Sequence, residues 1–373
     1  MDIVQIDLDN KKQMQDFIGL PFRIYADISQ WVPPLAMDMK QVLNFKRNPF
    51  YQHSEAAFLI AYRNNLAVGR LVVLNNKHYN EYNHSSTAFF WLFESENSLE
   101  TASYLFEEGC AWASKRHLTE ILGPKGFTPL DGFGLLIKGF EHRPAFGLPY
   151  NPAYYVDLIE AQGFIKHGES VSGYIGTSIQ FPERVHELAE RIGKRRGLHI
   201  ARSNSRTELR ALIPRIKELY NSSLEGTTGN TPLTDDEIDS LTNQIIWLAN
   251  PKLIKLVMKE DKAVGFLFAY PDVSAAFQKT KGKLFPFGWL TILRELKRTD
   301  WLNINGAALL PEYRGSGGTA ILYSEIFKSV RESGQFKHAE VVQIGVENEA
   351  MQREMENFGI DFYKMHRTYK KNL

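Results

Sequence analysis

Apolar residues in two segments of the chain run as pairs of short stretches around a polar turn, a pattern that predicts two β-hairpins. In residues 56–74, the stretches AAFLIAY and AVGRLVVL flank a turn at 63–65. In residues 253–270, LIKLVMK and AVGFLFAY flank a turn at 260–262. Both return strands contain Ala-Val-Gly at the same point, so the second hairpin repeats the design of the first.

A second pattern recurs at a similar distance beyond each hairpin. Residues 151–164 and 348–360 each begin with Asn, continue as a short helical pattern and stop at Gly163 or Gly359. Two matches in the same order indicate an internal duplication. We place the boundary near residues 176–182, which gives one domain at 1–178 and a second at 179–373.

The second half mixes helical and strand patterns. Helices are predicted at 183–196, 206–222, 235–248 and 317–333, and strands at 301–310, 339–346 and 362–369. Such alternation predicts an α/β or α+β fold. The length of 373 residues, with 43% apolar and 23% charged residues, fits two packed domains.

Charge and cysteine content narrow the partners and the location. The 44 Lys and Arg residues nearly balance 43 Asp and Glu, so no whole-chain field attracts nucleic acid and we expect no nucleic-acid partner. The single cysteine, Cys110, cannot form an internal disulfide, which fits a reducing compartment. The acidic N-terminus lacks an export-signal pattern, and the longest apolar run is seven residues. We therefore expect a cytoplasmic protein without a transmembrane helix.

The segment LLPEYRGSGGTA, residues 309–320, joins an apolar strand to a helix through a basic, glycine-rich turn. Backbone N–H groups at the start of a helix bind phosphate, and Gly residues allow a ligand to approach them closely. The turn lacks the Gly-Lys-Ser/Thr ending of a Walker loop, and its strand does not open a βαβ unit. It predicts a diphosphate ligand, with an unliganded helix entry as the alternative.

This segment resembles the coenzyme motif of the GNAT superfamily of acyl-CoA-dependent N-acetyltransferases, approximately Val-x-Pro-x-x-Arg-Gly-x-Gly-x-Gly/Ala, with only Thr319 departing. The resemblance implies two tandem domains, each with a mixed, mostly antiparallel central sheet flanked by helices. It also implies acetyl-CoA or another acyl-CoA as co-substrate. The residues implied in coenzyme binding are Leu309, Leu310, Arg314, Gly315, Ser316, Gly317, Gly318, Thr319 and Asn348. Most of the chain also resembles a bacterial family of uncharacterised tandem GNAT-like proteins, through the run at 49–70, the Gly-Pro at 123 and YNPAYY at 150–155.

The groups that would move protons are less clear. Many relatives have a tyrosine general acid where this chain has Met355, which cannot donate a proton. Asn303 and Asn305 on the central strand are not bases. Three candidate catalytic residues remain: Glu347, Tyr363 and His366. Their structural alternatives are a solvated turn acid, a packed aromatic ring and a surface histidine. No His or Cys cluster has metal-ligand spacing, so we expect no metal.

The first half lacks the phosphate loop, because residues 123–129 read GPKGFTP and proline removes the N–H donors that such a loop needs. Its aromatic stretches at 89–93 and 150–155 could line an acceptor groove or fill a core. An insertion at 271–300 mixes aromatic and basic residues. It could be a lid over an apolar acceptor, a peripheral membrane contact, or a helical insert packed on its own domain.

These observations predict an acyltransferase that moves an acetyl or longer acyl group from acyl-CoA to an amine of a small molecule or peptide by direct attack on the thioester. Two alternatives stay open. One is a CoA-binding or ligand-sensing protein without turnover, and the other is a structural module without CoA affinity. The sequence leaves the acceptor, the acyl length and the oligomeric state open.

Overall fold

The structure is a computed structural model. It describes residues 1–128, 131–176, 183–201, 203, 205–223, 230–246, 248–314 and 317–373, and for residues 244–245 the backbone alone. The predicted domain boundary at 178/179 lies outside the described residues and stays a prediction. We use "first half" and "second half" for the segments on either side of it.

The described residues form thirteen β-strands in one sheet. The strands of the first half are β1 (Asp2–Gln5), β2 (Glu55–Arg63), β3 (Leu66–Asn75), β4 (Thr87–Ser95), β5 (Glu120–Gly123), β6 (Leu135–Lys138) and β7 (Ile165–Gly176). Those of the second half are β8 (Leu198–Ala201), β9 (Ile254–Lys259), β10 (Lys262–Pro271), β11 (Trp301–Leu309), β12 (His338–Gly345) and β13 (Asp361–Asn372).

Helices flank this sheet. In the first half they are α1 (Lys11–Ile24), α2 (Ala36–Val42), α3 (Lys77–Asn83), α4 (Leu99–Ser114) and α5 (Tyr155–Glu160). In the second half they are α6 (Glu183–Arg196), α7 (Arg206–Ser223), α8 (Asp235–Ile245), α9 (Ser274–Thr280), α10 (Gly288–Arg298), α11 (Gly318–Ser333) and α12 (Glu349–Asn357). Local chemistry fixes several starts: the Ser98 side chain caps α4, and Thr234 and Glu237 form a capping box on α8.

Both predicted hairpins are confirmed as β2–β3 and β9–β10. The repeated glycines explain the shared Ala-Val-Gly. A Cβ on Gly69 would collide with α4 side chains, and one on Gly265 would collide with Leu309. The predicted strands and helices of the second half are observed within a few residues of their expected ends. The prediction of a mixed, mostly antiparallel sheet is confirmed, with β4–β5 and β11–β12 as its parallel pairs.

The two halves exchange their last strands. The order of the main sheet is β1-β2-β3-β4-β5-β13-β7-β12-β11-β10-β9-β8, with β6 paired to β13. β13 of the second half therefore completes the sheet beside β5, and β7 of the first half completes the sheet beside β12. The two expected sheets are thus joined into one through paired backbone rather than through side chains alone.

The insertion after β10 forms α9 and α10, and it packs differently from the prediction. Its buried residues Phe277 and Ile292 share an apolar cluster with Leu35 of the first half, and Phe146 packs against the same cluster. The Ala36 amide also donates to the Gly282 carbonyl at 3.0 Å. The insertion is a packed helical element, but it contacts the first half as well as its own.

Candidate active site at the fork of the second half

The two parallel strands of the second half pair only at their beginnings. Trp301–Ile304 of β11 lie opposite His338–Val341 of β12, and the two strands then continue without pairing to each other in the described chain. A β-bulge bends β11, where its register with β10 shifts and Gly306 has a φ of 98°. We call the gap between residues 305–309 and 342–345 the fork. Its backbone groups are available to hydrogen bond an extended ligand.

The fork leads into the start of α11. Gly317 has a φ of 86°, and a Cβ at this position would collide with the Ile192 side chain, so the turn requires glycine. Gly318 begins the helix, and no side chain caps its first-turn amides. These amides and the helix dipole favour an anion at this end. Gly315 and Ser316 of the predicted coenzyme motif lie outside the described residues.

Arg314 organises the end of β11. Its Nε donates to the Leu309 carbonyl at 3.3 Å, and its Nη2 donates to the Ser223 carbonyl at 2.5 Å. The Leu310 amide donates to the Val264 carbonyl at 3.0 Å, while Leu309 is buried in the second-half core. Arg314 therefore joins the end of β11 to the last residue of α7. Its predicted contact with a pyrophosphate stays a prediction.

On the other side of the fork, the end of β12 carries two predicted residues. The Asn348 Oδ1 accepts from the Met351 amide at 3.2 Å and caps α12. Glu347 is exposed, and its carboxylate lies against Gly345. The Gln343 Nε2 donates to the Phe133 carbonyl at 2.6 Å, which holds a loop of the first half against the fork.

His366 and the end of β12 are connected through one row of the sheet. His366 lies opposite Ser170 on β7, and Ser170 lies opposite Gly345 on β12. The His366 Nε2 lies 3.1 Å from the Pro149 carbonyl and so carries the proton of a neutral ring. In the described chain, the buried His366 Nδ1 and Ser170 Oγ have no hydrogen-bond partner. The alternative of a surface histidine is wrong, because His366 is 1% exposed and burial lowers its pKa to about 4.

Tyr363 lies elsewhere, in a polar cavity of about 320 Å³ between the two halves. Burial and the neighbouring Glu340 raise the pKa of its hydroxyl. Glu340 forms an ion pair with Lys364 at 2.8 Å, and both side chains are at most 2% exposed. The desolvation of this buried pair raises the pKa of Glu340 and lowers that of Lys364.

Asp272 lines the same polar cavity and ties the halves together. It accepts from Arg143 at 3.0 Å, from the Ser274 hydroxyl at 2.6 Å and from Asn303 at 3.1 Å. Neither Asp272 nor the Glu340–Lys364 pair was singled out from the sequence. The available signal was a charged residue inside an apolar strand, as in the run AEVVQIG, which predicts a buried partner of opposite charge.

Solved structures share this fold over the whole chain. A tandem GNAT protein from the clavulanic acid biosynthesis pathway aligns with 100% of this chain and 98% of its own, at a TM-score of 0.57 and 10% identity. A GCN5-related N-acetyltransferase from Sphaerobacter thermophilus covers 100% and 95%, at a TM-score of 0.51 and 13% identity. The chain has the tandem GNAT fold.

Two curated proteins are similar to this tandem GNAT-fold chain over nearly their full lengths. Protein YghO of Escherichia coli (strain K12) is 24% identical over 373 residues, with 98% of this chain and 94% of that protein covered. Bacterial ceramide synthase of Caulobacter vibrioides is 25% identical over 378 residues, with coverage of 100% and 98%. No protein-family model matches the chain.

In this tandem GNAT fold, the first half holds a cavity of about 350 Å³. Side chains of aromatic stretches that the sequence offered as groove or core line it, among them Trp91, Phe93 and Tyr150. Phe90 of the same stretch is instead buried in the first-half core. Apolar residues from other segments complete the wall: Trp31, Val32, Pro33, Pro34, Leu35, Phe127, Phe146 and Leu148.

The polar residues that line this cavity include two carboxylates, the buried Arg70–Glu94 ion pair, and Glu237 of α8 in the second half. Asp38 and Asp131 both line it, and in the described chain neither forms an ion pair. Burial raises the pKa of Asp131 to about 6, and burial together with the charge of Asp131 raises that of Asp38 to about 6. Because an ammonium would relieve both carboxylates, the cavity suits an apolar amine.

The cavity adjoins the row that contains His366. Two of its lining residues contact His366: Pro149 through its carbonyl, and Gly134, whose Cβ would lie 3.1 Å from the His366 Cβ. Residues 131–134 are also held to the fork by Gln343. The cavity and the fork thus border the same loop, residues 131–134.

No helix among the described residues is long and apolar enough to cross a bilayer. Within the same residues, no group of three or more His, Cys, Asp or Glu side chains converges as metal ligands do.

Proposed function

We propose that this protein is an acyl-CoA-dependent N-acyltransferase whose acceptor is a long-chain amine. The observation that carries the proposal is the open fork that ends at the uncapped, glycine-bounded start of α11. A strand edge followed by helix amides suits a ligand with an amide-containing arm and a diphosphate, which is the chemical form of CoA. The tandem GNAT fold supports acyl transfer in general.

In the proposed complex, the pantetheine arm lies along the fork beside Leu309, Leu310 and Asn348. The pyrophosphate lies at the amides of Gly315, Ser316, Gly317, Gly318 and Thr319, next to Arg314. The neutral amine attacks the thioester carbonyl and forms a C–N bond. Backbone N–H groups stabilise the oxyanion, the C–S bond then breaks, and the CoA thiolate takes up a proton.

The first-half cavity is the proposed acceptor site. An alkyl chain would lie against Trp31, Leu35 and Phe127, and the ammonium would meet Asp38 and Asp131. The name of one relative, bacterial ceramide synthase, supports this class, because a ceramide is the amide of a long-chain amino alcohol. We therefore infer a lipid-like amine rather than a peptide.

We propose His366 and Glu347 as the groups that take up the proton of the amine. The Nδ1 of His366 offers a lone pair, and Ser170 is the neighbour of His366 on β7. Tyr363 stays a predicted donor to the thiolate, although burial and the neighbouring Glu340 raise the pKa of its hydroxyl. A cytoplasmic location, as the sequence predicts, is part of the proposal.

The test is release of free thiol when acetyl-CoA or a long-chain acyl-CoA is mixed with the protein and dodecylamine, with the amide detected by mass spectrometry. Arg314→Glu should abolish coenzyme binding and release, because it removes the link to Ser223 and places a negative charge beside the phosphates. Arg331→Glu, an exposed change in the last turn of α11, is the matched control. Binding of acyl-CoA without thiol release with any amine would favour the ligand-sensing alternative, and no binding would refute the coenzyme site.

A further inference from the structure

The insertion between β10 and β11 exposes large apolar side chains at its tip. Phe285 is 80% exposed and Phe287 is 71% exposed, and they lie just before α10. On α10 itself, Trp289 and Leu293 are 45% and 46% exposed, next to Leu290. Isolated exposed apolar residues are ordinary, but five within nine residues form one continuous surface.

Only part of the apolar face of α10 is used for packing. Ile292 is 1% exposed, and Leu296 packs against the same cluster. At 100° per residue, Trp289 and Leu293 continue this face outward, away from the packed stripe. The helix therefore buries one edge of its apolar arc and leaves the other edge unpartnered.

Positive charge surrounds this surface. Six exposed cations belong to the insertion: Lys279, Lys281, Lys283, Arg294, Lys297 and Arg298. None of the six forms an ion pair among the residues that the structure describes. Across 273–299 the sequence holds a single acidic residue, Glu295. Exposed aromatic side chains surrounded by unpaired Lys and Arg suit the surface of an anionic bilayer, where the aromatic side chains lie between headgroups and acyl chains and the cations contact the headgroups.

We propose that residues 279–298 form a docking surface for an anionic lipid bilayer, with Phe285, Phe287 and Trp289 inserted at the headgroup level. The proposal stands on exposure and charge and does not depend on the acyltransferase activity. Its position has a functional consequence, because the same insertion borders the first-half cavity. The Gln278 side-chain Nε2 donates to the Ser29 and Trp31 carbonyls at 2.7 and 3.0 Å, and the Gly282 carbonyl accepts from the Ala36 backbone amide. Docking would thus bring the cavity wall formed by residues 31–36 close to the membrane surface.

The experiment is flotation of the full-length protein with vesicles of phosphatidylcholine alone or with about one-third phosphatidylglycerol. The wild type should float with the anionic vesicles, less so as salt is raised, and bind neutral vesicles weakly. Phe285→Ser/Phe287→Ser should lower the partition coefficient by about tenfold or more, and Lys281→Glu/Lys283→Glu should lower it mainly on anionic vesicles.

The matched control is Leu99→Ser/Tyr104→Ser on α4, which removes side chains of 57% and 43% exposure from the first half and should leave flotation unchanged. Circular dichroism of each variant verifies the fold. The proposal is overturned if the wild type stays unbound on anionic vesicles at low salt, or if the Phe variant floats like the wild type. It is also overturned if the aromatic surface proves to be covered by a second copy, which sedimentation would show as a dimer that the Phe variant abolishes.

Discussion

Strand β4 of the first half and strand β11 of the second half occupy corresponding places beside their hairpins, but their surroundings differ. Ser95 of β4 lies opposite Gly69 of the first Ala-Val-Gly strand, and Leu309 of β11 lies opposite Gly265 of the second. When these two pairs are aligned, Leu92 of β4 corresponds to Gly306 of β11. Both residues are at a β-bulge with positive φ, 47° in Leu92 and 98° in Gly306. The bulge is therefore present in both halves, although only the second half has the glycine-rich turn after this strand.

Beyond the bulge, the halves diverge. In the second half, pairing between β11 and β12 ends at Ile304, and in the first half the Lys125 amide donates at 2.9 Å to the carbonyl of Phe90, the residue that corresponds to Ile304. Where the second half has Phe266 and Ala308, the first half has the buried pair Arg70 and Glu94. The Glu94 carboxylate also accepts from Tyr25 and Tyr155. The first half therefore has a charged network beside its own cavity at positions where the second half has apolar side chains.

We expect the largest effect on stability from the buried ion pair between Lys364 of β13 and Glu340 of β12. Lys364→Met leaves Glu340 buried without its cation, so the free energy of unfolding in urea at pH 7 should fall by about 3–5 kcal/mol. Lys364→Met/Glu340→Gln should recover most of that loss. Arg353→Met breaks an ion pair whose side chains are 75% and 73% exposed and should cost less than about 0.5 kcal/mol. A small loss for the first variant would mean that the pair does not hold the exchanged strands.

The start of α11 should be the next most sensitive position. Gly317→Val forces a branched side chain into a positive φ and against Ile192, so acyl-CoA affinity in calorimetry should fall by about 10- to 100-fold. Gly334→Asn at the other end of α11 is the control. Gly334 has a φ of 61° with open space around it, and Asn tolerates that conformation. Equal acyl-CoA affinity for the two variants would mean that the coenzyme does not bind at the start of α11.

The ionised carboxylate of Asp38 should lower the stability of the folded protein and strengthen amine binding. Its folded pKa of about 6 lies above its ordinary value of 3.8, so the proton bound at low pH stabilises the folded state, and this contribution is lost as pH rises through about 6. Asp38→Asn should therefore raise the free energy of unfolding at pH 7 by about 1–2 kcal/mol and have little effect near pH 4.

The same variant should weaken dodecylamine binding, which in the wild type should strengthen between about pH 5 and 7 as the carboxylates ionise. Asp239→Asn, an exposed change on α8, is the control and should alter neither property. A wild-type affinity that does not vary across this pH range would remove Asp38 and Asp131 from the amine site.

We expect the smallest effects from substitutions at the two bulges, which compare the two halves directly. Leu92→Gly relieves a left-handed leucine but loses partly buried surface, so the unfolding free energy should change by less than about 1 kcal/mol and acyl-CoA affinity should not change. Gly306→Ala should cost about 1 kcal/mol of stability and should also weaken acyl-CoA binding, since this bulge borders the fork. Similar binding effects at both positions would contradict the assignment of the coenzyme to the second half.

Sequence patterns were sufficient for features that depend on local order. The hairpins, the start of α11 and the helix after Asn348 follow from alternation, glycine placement and capping residues that are neighbours in the chain. The exchange of β7 and β13 could not be predicted, because it depends on pairs such as Gly123 with Tyr369 that are far apart in sequence. Strand alternation alone does not choose between partners of equal polarity.

The site was predictable in part for the same reason. Glu347 and His366 were named from their places along the chain, but only the sheet shows that Ser170 lies between His366 and Gly345 in one row. His366 was expected at the surface as the alternative to a base, whereas β6 and residues 149–150 cover it. Asp38 and Asp131 carry no local signal, since their role depends on a cavity built from several distant segments.

The exchanged strands also set a condition on synthesis. The edge of β5 receives its partner from residues 369–372, which are made long after β5 itself. During synthesis the first half therefore presents an unpaired strand edge until this later segment has been made and has paired with it. Substitutions that weaken the pairing of residues 369–372 would expose an edge on which nascent chains can pair with one another.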